Sequence, residues 1–453
     1  MNPRTSGKHS VDMTSGSILR HLILFSIPLL AGNLFQQLYN MVDTWVVGNF
    51  VSNEAFSAVG SITPIINTMI SLFLGFASGA GVVISQYYGA KQYDGVKKAV
   101  HTSVLTSVFL GITLSLIGLF LIPYLLRLMN TPAEVIPEST MYLRIYFAGL
   151  LGLTIYNMGA GILRAVGDSV RPFYYLVVCA LLNTVLDLLF VIKFGMGVKG
   201  VALATVLSQF VSAVLVVFAL FRSESSIKLN LNLMKIDKSL LAKISKLGFP
   251  TALQLGITAF SNVFVQGYIN AFGADCMSGY TAYNKIDQLI ILPLHSLAIA
   301  STTFVGQNLG ASDISRAKKG VNIALFLSMI SSLALMVPVV LFAPQVVAFF
   351  NAKAQVVTFG TQFLRTFTPF FLFACVNQIY MGALRGAGNS RTPMFITLGS
   401  FVLFRQIYLF VMSNYIINEP IPVAFGYPMG WIVCTIIATI CYRRYDFMKS
   451  KII

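Results

Sequence analysis

The sequence predicts an all-α polytopic membrane protein with twelve transmembrane helices, arranged as two six-helix bundles. Three observations support this fold class. Of the 453 residues, 56% are hydrophobic and only 10% are charged, whereas soluble proteins carry roughly 25% charged residues. Runs without a charged residue, such as 99–126 and 321–352, exceed the roughly 20 residues that a helix needs to cross the hydrocarbon core. The third observation is an internal duplication.

A twelve-residue motif identifies this duplication. The segment Gly161-Ile-Leu-Arg-Ala-Val-Gly-Asp-Ser-Val-Arg-Pro172 recurs 221 residues later as Gly382-Ala-Leu-Arg-Gly-Ala-Gly-Asn-Ser-Arg-Thr-Pro393, with six of the twelve positions identical. Further residues of both halves follow the same offset, which indicates two homologous halves. Because each half has an even number of spans, both insert in the same orientation. They are therefore parallel repeats about a pseudo-two-fold axis along the membrane normal.

The apolar runs set the predicted domains. Residues 1–221 form the N-terminal lobe with spans one to six, 222–246 form a cytoplasmic linker, and 247–453 form the C-terminal lobe with spans seven to twelve. We place the spans near 22–45, 56–82, 99–124, 139–160, 172–193, 200–221, 248–271, 278–303, 320–345, 359–382, 393–415 and 424–442.

The net charge of +16 is a topology signal rather than a nucleic-acid-binding patch. Of the 31 Lys and Arg residues, 23 flank the spans on the side of the N-terminus, six lie on the opposite side and two lie within spans. Positive flanks stay in the cytoplasm. We therefore expect a multi-pass protein of the cell (inner) membrane with both termini in the cytoplasm. Its partners are the lipid bilayer and a small solute, with no nucleic acid, and it functions as a monomer.

Several polar side chains lie inside the spans of the first half. Gln36, Asn40 and Asp43 share one helix face by their i, i+4, i+7 spacing, and Asn183 and Asp187 lie one turn apart. An Asp at a helix centre costs about 2.5–3.5 kcal/mol, so such groups face a bundle interior or a watery cavity. Polar contacts between helices could explain the uncharged residues but explain two carboxylates poorly.

The acid pair can carry a coupling ion. A buried acid pair can exchange a proton, and the oxygens of Asp, Asn and Thr suit a hard monovalent cation equally well. The residues leave proton and sodium open, and they indicate no other cofactor or metal.

The second half lacks this pattern. By the 221-residue offset, Phe404 and Tyr408 replace Asn183 and Asp187. Lys285 and Asp287 are two residues apart and cannot share a helix face. They and Arg405 are candidates for a cavity of the second half or for structural roles, so we expect the coupling site in the first half.

These features resemble the multidrug and toxic compound extrusion (MATE) family, over essentially the whole chain. The matching elements are Pro28 and Asp43 in the first span, Gln86-Tyr-Tyr-Gly-Ala90 after the second, the Leu-Arg-x-x-Gly-[Asp/Asn]-Ser-x-x-Pro loop in both halves, Asn183 and Asp187 in the fifth span, and Thr205 in the sixth.

The resemblance implies a V-shaped pair of bundles that exchanges an organic cation for sodium or protons. It assigns the cation site to Asp43, Asn183, Asp187 and Thr205, and a helix-bending role to Pro28. Some members have an acid in the seventh span, where this chain reads Thr258-Ala-Phe-Ser261-Asn262. A coupling mode that depends on such an acid is therefore not expected here, unless Asp287 substitutes.

The expected function is secondary active export of cationic or amphiphilic organic compounds in exchange for protons or sodium, by alternating access. A flippase for a lipid-linked anionic precursor is the main alternative. The cavity of such a protein would need cationic residues to hold the anionic headgroup, and this chain has Lys285 and Arg405 within its spans. A passive channel would need no acid pair. An enzyme is not expected, since the sequence has no paired-His or Gly-x-Ser-x-Gly motif.

Overall fold

The computed structural model describes residues 11–51, 53–129, 131–223, 226–448 and 452. These residues are helical or lie in turns and loops, and none of them is in a strand. The predicted all-α architecture is therefore confirmed. Four of the 23 basic residues predicted to lie on the side of the N-terminus are outside the described residues: Arg4, Lys8, Lys449 and Lys451.

The chain forms two compact units. Within the described ranges, the first unit comprises residues 11–13 and 27–252, and the second comprises 14–26, 253–448 and 452. The predicted lobe boundaries at 221 and 247 stay predictions.

The α-helices up to the connection between the halves lie mainly in the first unit. They are α1 (Ile18–Phe50), α2 (Asn53–Gly89), α3 (Tyr93–Leu128), α4 (Ile136–Ala148), α5 (Leu150–Ala165), α6 (Val170–Asp187) and α7 (Gly197–Phe221).

The remaining α-helices begin with one that contributes residues to both units. They are α8 (Lys238–Asn270), α9 (Ala274–Gly310), α10 (Ile314–Leu341), α11 (Ala343–Phe350), α12 (Ala354–Phe367), α13 (Phe371–Gly386), α14 (Arg391–Thr397), α15 (Arg405–Val411), α16 (Pro420–Ala424) and α17 (Gly426–Arg444).

Most predicted spans correspond to helices of membrane-crossing length. The described residues contain ten helices that are long and apolar enough to cross a membrane, and the bent pair α4–α5 adds an eleventh. The predicted span 248–271 lies in α8, which has 33 residues. α8 carries polar side chains such as Gln254 and Asn262 and is not among these ten helices.

The fourth predicted span is bent. In place of one helix over 139–160, α4 and α5 meet at Gly149 with an angle of 49°. A Cβ at Gly149 would lie 2.3 Å from Val206 Cγ1. Glycine therefore lets this bend pack closely against α7.

Glycines also bring α2 close to α8 within the first unit. A Cβ at Gly75 would lie 2.3 Å from the backbone nitrogen of Ala252, and one at Gly79 would lie 2.6 Å from that of Gly248. Gly75 and Gly79 form a Gly-x-x-x-Gly pattern, which permits close approach of membrane helices.

The duplicated motif forms the same turn in both units. Gly167 and Gly388 adopt φ of +86° and +85°, a left-handed conformation that favours glycine. The next residue then caps the following helix: Asp168 Oδ1 accepts the N–H groups of Val170 and Arg171 at 3.1 Å each, and Asn389 Oδ1 accepts that of Thr392 at 3.0 Å. The motif therefore ends one helix in each unit, forms a tight turn and starts α6 or α14.

The connection between the halves is shorter than the predicted linker. Asp237 Oδ1 accepts the N–H of Leu240 at 3.1 Å, so α8 begins at Lys238 instead of near 247. The backbone N–H of Asn230 donates to His101 Nε2 at 3.1 Å, and that of Asp237 donates to Thr102 Oγ1 at 3.1 Å. These bonds hold the connection against α3.

Candidate functional site

The carboxyl groups of Asp43 and Asp187 lie side by side within the first unit. Asp43 comes from α1 and Asp187 ends α6. Asp187 is fully buried, and in the described part of the protein neither of its oxygens accepts a hydrogen bond. Two carboxylates are both acceptors, so they can bond to each other only when a proton lies between them. The two acids that the sequence singled out therefore meet in space.

Asn183 adds an amide on the same face of α6. It precedes Asp187 by one helical turn and is 1% exposed. Neither its Oδ1 nor its Nδ2 has a hydrogen-bond partner in the described residues. Buried polar atoms are normally hydrogen-bonded, so an unbonded amide beside an unbonded carboxyl is a cluster of polar groups available to bind an ion.

A tyrosine connects Thr205 to the acid pair. Thr205 of α7 is buried, and its hydroxyl donates to the carbonyl of Val201 at 3.0 Å. The hydroxyl of Tyr142 in α4 lies beside that of Thr205 and close to both Asp43 and Asp187. Four helices of the first unit therefore contribute to one polar centre.

Tyr142 and Tyr146 of α4 are functional candidates that were not predicted from the sequence. Their rings stack with centroids 6.1 Å apart, and the hydroxyl of Tyr146 lies beside Gln209. The available signal was the i, i+4 spacing of two tyrosines in a predicted span. Ordinary core packing gives the same spacing, so the pattern did not single them out.

The two other residues of the predicted polar face of α1, Gln36 and Asn40, precede Asp43 in the helix. Gln36 is half-buried and lies beside the hydroxyl of Tyr39, while Asn40 is exposed. Pro28 lies inside α1, which continues through it as one helix. Because proline lacks an N–H, one backbone hydrogen bond is absent there. The supporting role of Gln36 and Asn40 and the bending role of Pro28 stay predictions.

Another polar centre, in the second unit, contains an arginine. Arg405 is 1% exposed. Its Nη2 atom donates to Ser261 Oγ at 3.0 Å and to Asn262 Oδ1 at 2.8 Å, and its guanidinium carbon lies 4.7 Å from the centre of the Tyr427 ring. No carboxylate of the described residues forms a salt bridge with Arg405. A positive charge therefore lies in this unit among neutral groups.

The other two intramembrane charges of the second half point in different directions. Asp287 is half-buried and accepts a hydrogen bond from the hydroxyl of Tyr283 at 3.1 Å. Lys285 is exposed. This difference agrees with their spacing of two residues, which places them on different faces of α9.

Comparison with known proteins identifies the family. The family model described as MatE matches residues 28–189 and 247–411. This chain belongs to the MatE family. The two matched ranges contain Pro28, Asp43, Asn183 and Asp187 in the first half. The predicted resemblance is thereby confirmed, and the protein is a member of a membrane transporter family.

Two bacterial relatives cover most of the chain. The "Probable multidrug resistance protein YpnP" of Bacillus subtilis is 29% identical over 97% of this chain and 98% of its own length. The "Probable multidrug resistance protein NorM" of Thermotoga maritima is 27% identical over 88% of this chain and 86% of its own length.

Solved structures share the fold. A MOP superfamily transporter from Pyrococcus furiosus, for which a reverse polarity of the binding pocket suggests a different function, is 26% identical with a TM-score of 0.91 over 97% of this chain and 98% of that one. An outward-facing multidrug resistance MATE family transporter of the same superfamily is 25% identical, with the same TM-score and coverage. The twelve-helix, two-lobe fold class is thus confirmed.

Proposed function

We propose that this MatE-family protein is a secondary active transporter that exports cationic or amphiphilic organic compounds in exchange for protons or sodium. The observation that carries the proposal is the pair formed by the half-buried Asp43 and the buried Asp187, whose oxygens are available to a cation. The relatives named as multidrug resistance proteins support the drug-like cargo.

The acid pair explains why a cation binds in the first unit. Two negative charges side by side in a buried site repel each other and lose hydration, so the pair is stable only with a positive charge nearby. That charge can be a proton shared by the two carboxyl groups. Alternatively it can be a sodium ion, with oxygen ligands from Asp43, Asp187, Asn183 and Thr205.

Exchange requires that cargo and ion prefer different conformers. A ligand shifts a conformational equilibrium only by the difference between its affinities for the two states. We propose that the ion at the acid pair stabilises one state of the transporter and the cargo stabilises the other. Alternating access then couples the two movements. The protein works as a monomer in the cell membrane, with both termini in the cytoplasm.

Transport in liposomes tests the proposal. A fluorescent organic cation is followed under an imposed sodium or proton gradient, with wild type, Asp187→Asn and Asp94→Asn prepared in parallel. Asp94→Asn is a matched control, because this side chain is 94% exposed. We expect gradient-driven movement in wild type and the control, and none with Asp187→Asn. Movement that ignores both gradients in all three proteins identifies a passive channel instead.

A flippase for an anionic lipid-linked precursor is the second candidate, because the buried Arg405 could hold a phosphate group. The same liposomes distinguish the two functions when they also contain a headgroup-labelled anionic lipid. Gradient-independent equilibration of that lipid between leaflets, without movement of the organic cation, supports the flippase.

A further inference from the structure

We propose that Arg405, with the hydroxyls of Tyr280 and Tyr427, forms a subsite in the second unit that binds a carboxylate or phosphate group of the transported amphiphile. Only the assignment of the bound anionic group to the cargo depends on the proposed export function; anion binding by Arg405 does not. The subsite adds amphiphiles that carry an acidic group to the proposed cargo.

Arg405 is buried, and its charge has no counter-ion among the residues that the structure describes. Four acids of the second unit have a described ionic or hydrogen-bonding partner other than Arg405: Asp275 pairs with Lys353 at 2.6 Å, Asp313 caps α10, Asp287 accepts from Tyr283, and Asp446 accepts the N–H of Met448. A buried charge is costly unless an opposite charge or enough hydrogen bonds accompany it. An anion would supply the charge that is missing beside Arg405.

The guanidinium also keeps donors for a ligand. It has five N–H groups, and its described hydrogen bonds use only Nη2, towards Ser261 and Asn262. Its Nε atom is buried and has no partner in the described residues. Arginine is the side chain that most often recognises carboxylates and phosphates, because its planar donors match their oxygens.

Two tyrosine hydroxyls lie around the same charge. Tyr280, 1% exposed, and Tyr427 both lie close to Arg405, and the buried hydroxyl of Tyr280 has no hydrogen-bond partner in the described residues. The ring of Tyr427 also faces the guanidinium. Phenol hydroxyls can donate hydrogen bonds to anions. The guanidinium and the two hydroxyls are therefore three neighbouring groups that can all donate to one anion.

The position of Arg405 in the repeat supports a binding role. By the 221-residue offset it corresponds to Thr184, next to Asn183 of the acid centre. In the second unit the π-helical segment Leu398–Phe404 directly precedes Arg405. The π-helical segment Leu188–Lys193, which follows Asp187, corresponds by the same offset to 409–414 and so overlaps the π-helical segment Met412–Ile416. Short π-helical segments inside α-helices occur frequently at functional sites. The two repeats thus place opposite charges at related centres.

Equilibrium binding in the absence of any gradient tests this subsite. The full-length protein is placed in neutral phosphatidylcholine nanodiscs and titrated with three probes that share a dansyl-labelled twelve-carbon chain. These probes end in a carboxylate, a phosphate monoester or a trimethylammonium group. Inorganic phosphate and phosphatidic acid serve as competitors, so that displacement by the first indicates a free anion site and displacement by the second alone indicates a lipid headgroup site.

We expect the carboxylate and phosphate probes to bind wild type. Arg405→Gln should weaken the binding of both by about tenfold or more, since it removes charge-assisted hydrogen bonds to the anion. Arg405→Lys should recover part of this loss, and Arg391→Gln, an exposed arginine at the start of α14, should change nothing. Binding should persist in Asp187→Asn, which separates this result from the outcome of the antiport experiment.

If Arg405→Gln does not fold, Tyr427→Phe decides the question, because it keeps the ring and removes only the hydroxyl. That variant should bind the two anionic probes less tightly at an unchanged melting temperature. Equal anion affinity in wild type and the variants, or binding of the trimethylammonium probe alone, overturns the proposal.

Discussion

The carboxyl group of Asp187, at the end of α6, lies beside that of Asp43 in the C-terminal part of α1. These residues are 144 positions apart in the chain, so only the tertiary packing of the first unit brings them together. Neither oxygen of Asp187 accepts a hydrogen bond from the described residues. We therefore expect the pair to accept a positive charge and to behave as one unit.

A double-substitution cycle tests this unit. Asp43→Asn and Asp187→Asn should each weaken binding of the coupling cation by about 10–100-fold, because each removes an interaction with a charged group worth about 1.5–3 kcal/mol. The double variant should lose little more than either single variant, since side chains that bind one ion are not additive. Equilibrium titration of the purified variants with sodium or protons, in the absence of a gradient, measures each step. Losses that simply multiply would show two independent sites.

Tyr142 should contribute to the same cation site through its hydroxyl. Tyr142→Phe keeps the buried ring but removes the group beside Thr205. One hydrogen bond contributes about 0.5–1.5 kcal/mol, so we expect about 2–10-fold weaker cation binding at an unchanged melting temperature. Thr205→Val should act in the same direction, and the two changes together should be less than additive. Unchanged cation dependence in Tyr142→Phe assigns the residue to packing only.

The sequence predicted Asp43 and Asp187 because a carboxylate in an apolar span is too costly to face lipid. It could not predict Tyr142 by the same reasoning, since a tyrosine in a span is compatible with ordinary packing. The bend at Gly149 was also missed, because it depends on the fit against Val206 of another helix. The start of α8 at Lys238 was missed because the basic residues near it suggested a loop, although Asp237 is a recognisable N-cap residue.

Close packing of α2 against α8 predicts opposite effects of the same substitution at two glycines of α2. Gly75→Ala should destabilise the protein by about 1–3 kcal/mol, since its Cβ meets the backbone of Ala252, which cannot rotate away. Gly60→Ala is the matched control, because a Cβ there meets nothing within 4 Å. It should be neutral or stabilising by about 0.5–1 kcal/mol. Thermal unfolding of both variants in detergent measures the difference, and equal melting temperatures would contradict the packing of α2 on α8.

Asp168 and Asn389 are the capping residues of the two copies of the duplicated loop, and substitutions can test how each one caps the following helix. Asp168 is fully buried and pairs with the side chain of Arg171, whereas in the second unit Asn389 Nδ2 donates to Thr392 Oγ1 at 2.9 Å. Asp168→Asn keeps the cap but leaves its amide without the threonine, so it should cost about 1–2 kcal/mol.

Arg171→Thr introduced together with Asp168→Asn recreates the pairing of the second loop and should bring stability back to within about 0.5 kcal/mol of wild type, the size of an ordinary surface change. Asp168→Ala, which removes the cap itself, should not be rescued by Arg171→Thr. Melting temperatures of the four variants and wild type measure both statements. Rescue of the alanine variant, or no rescue of the asparagine variant, would show that the ion pair with Arg171, rather than the cap, determines the stability of this loop.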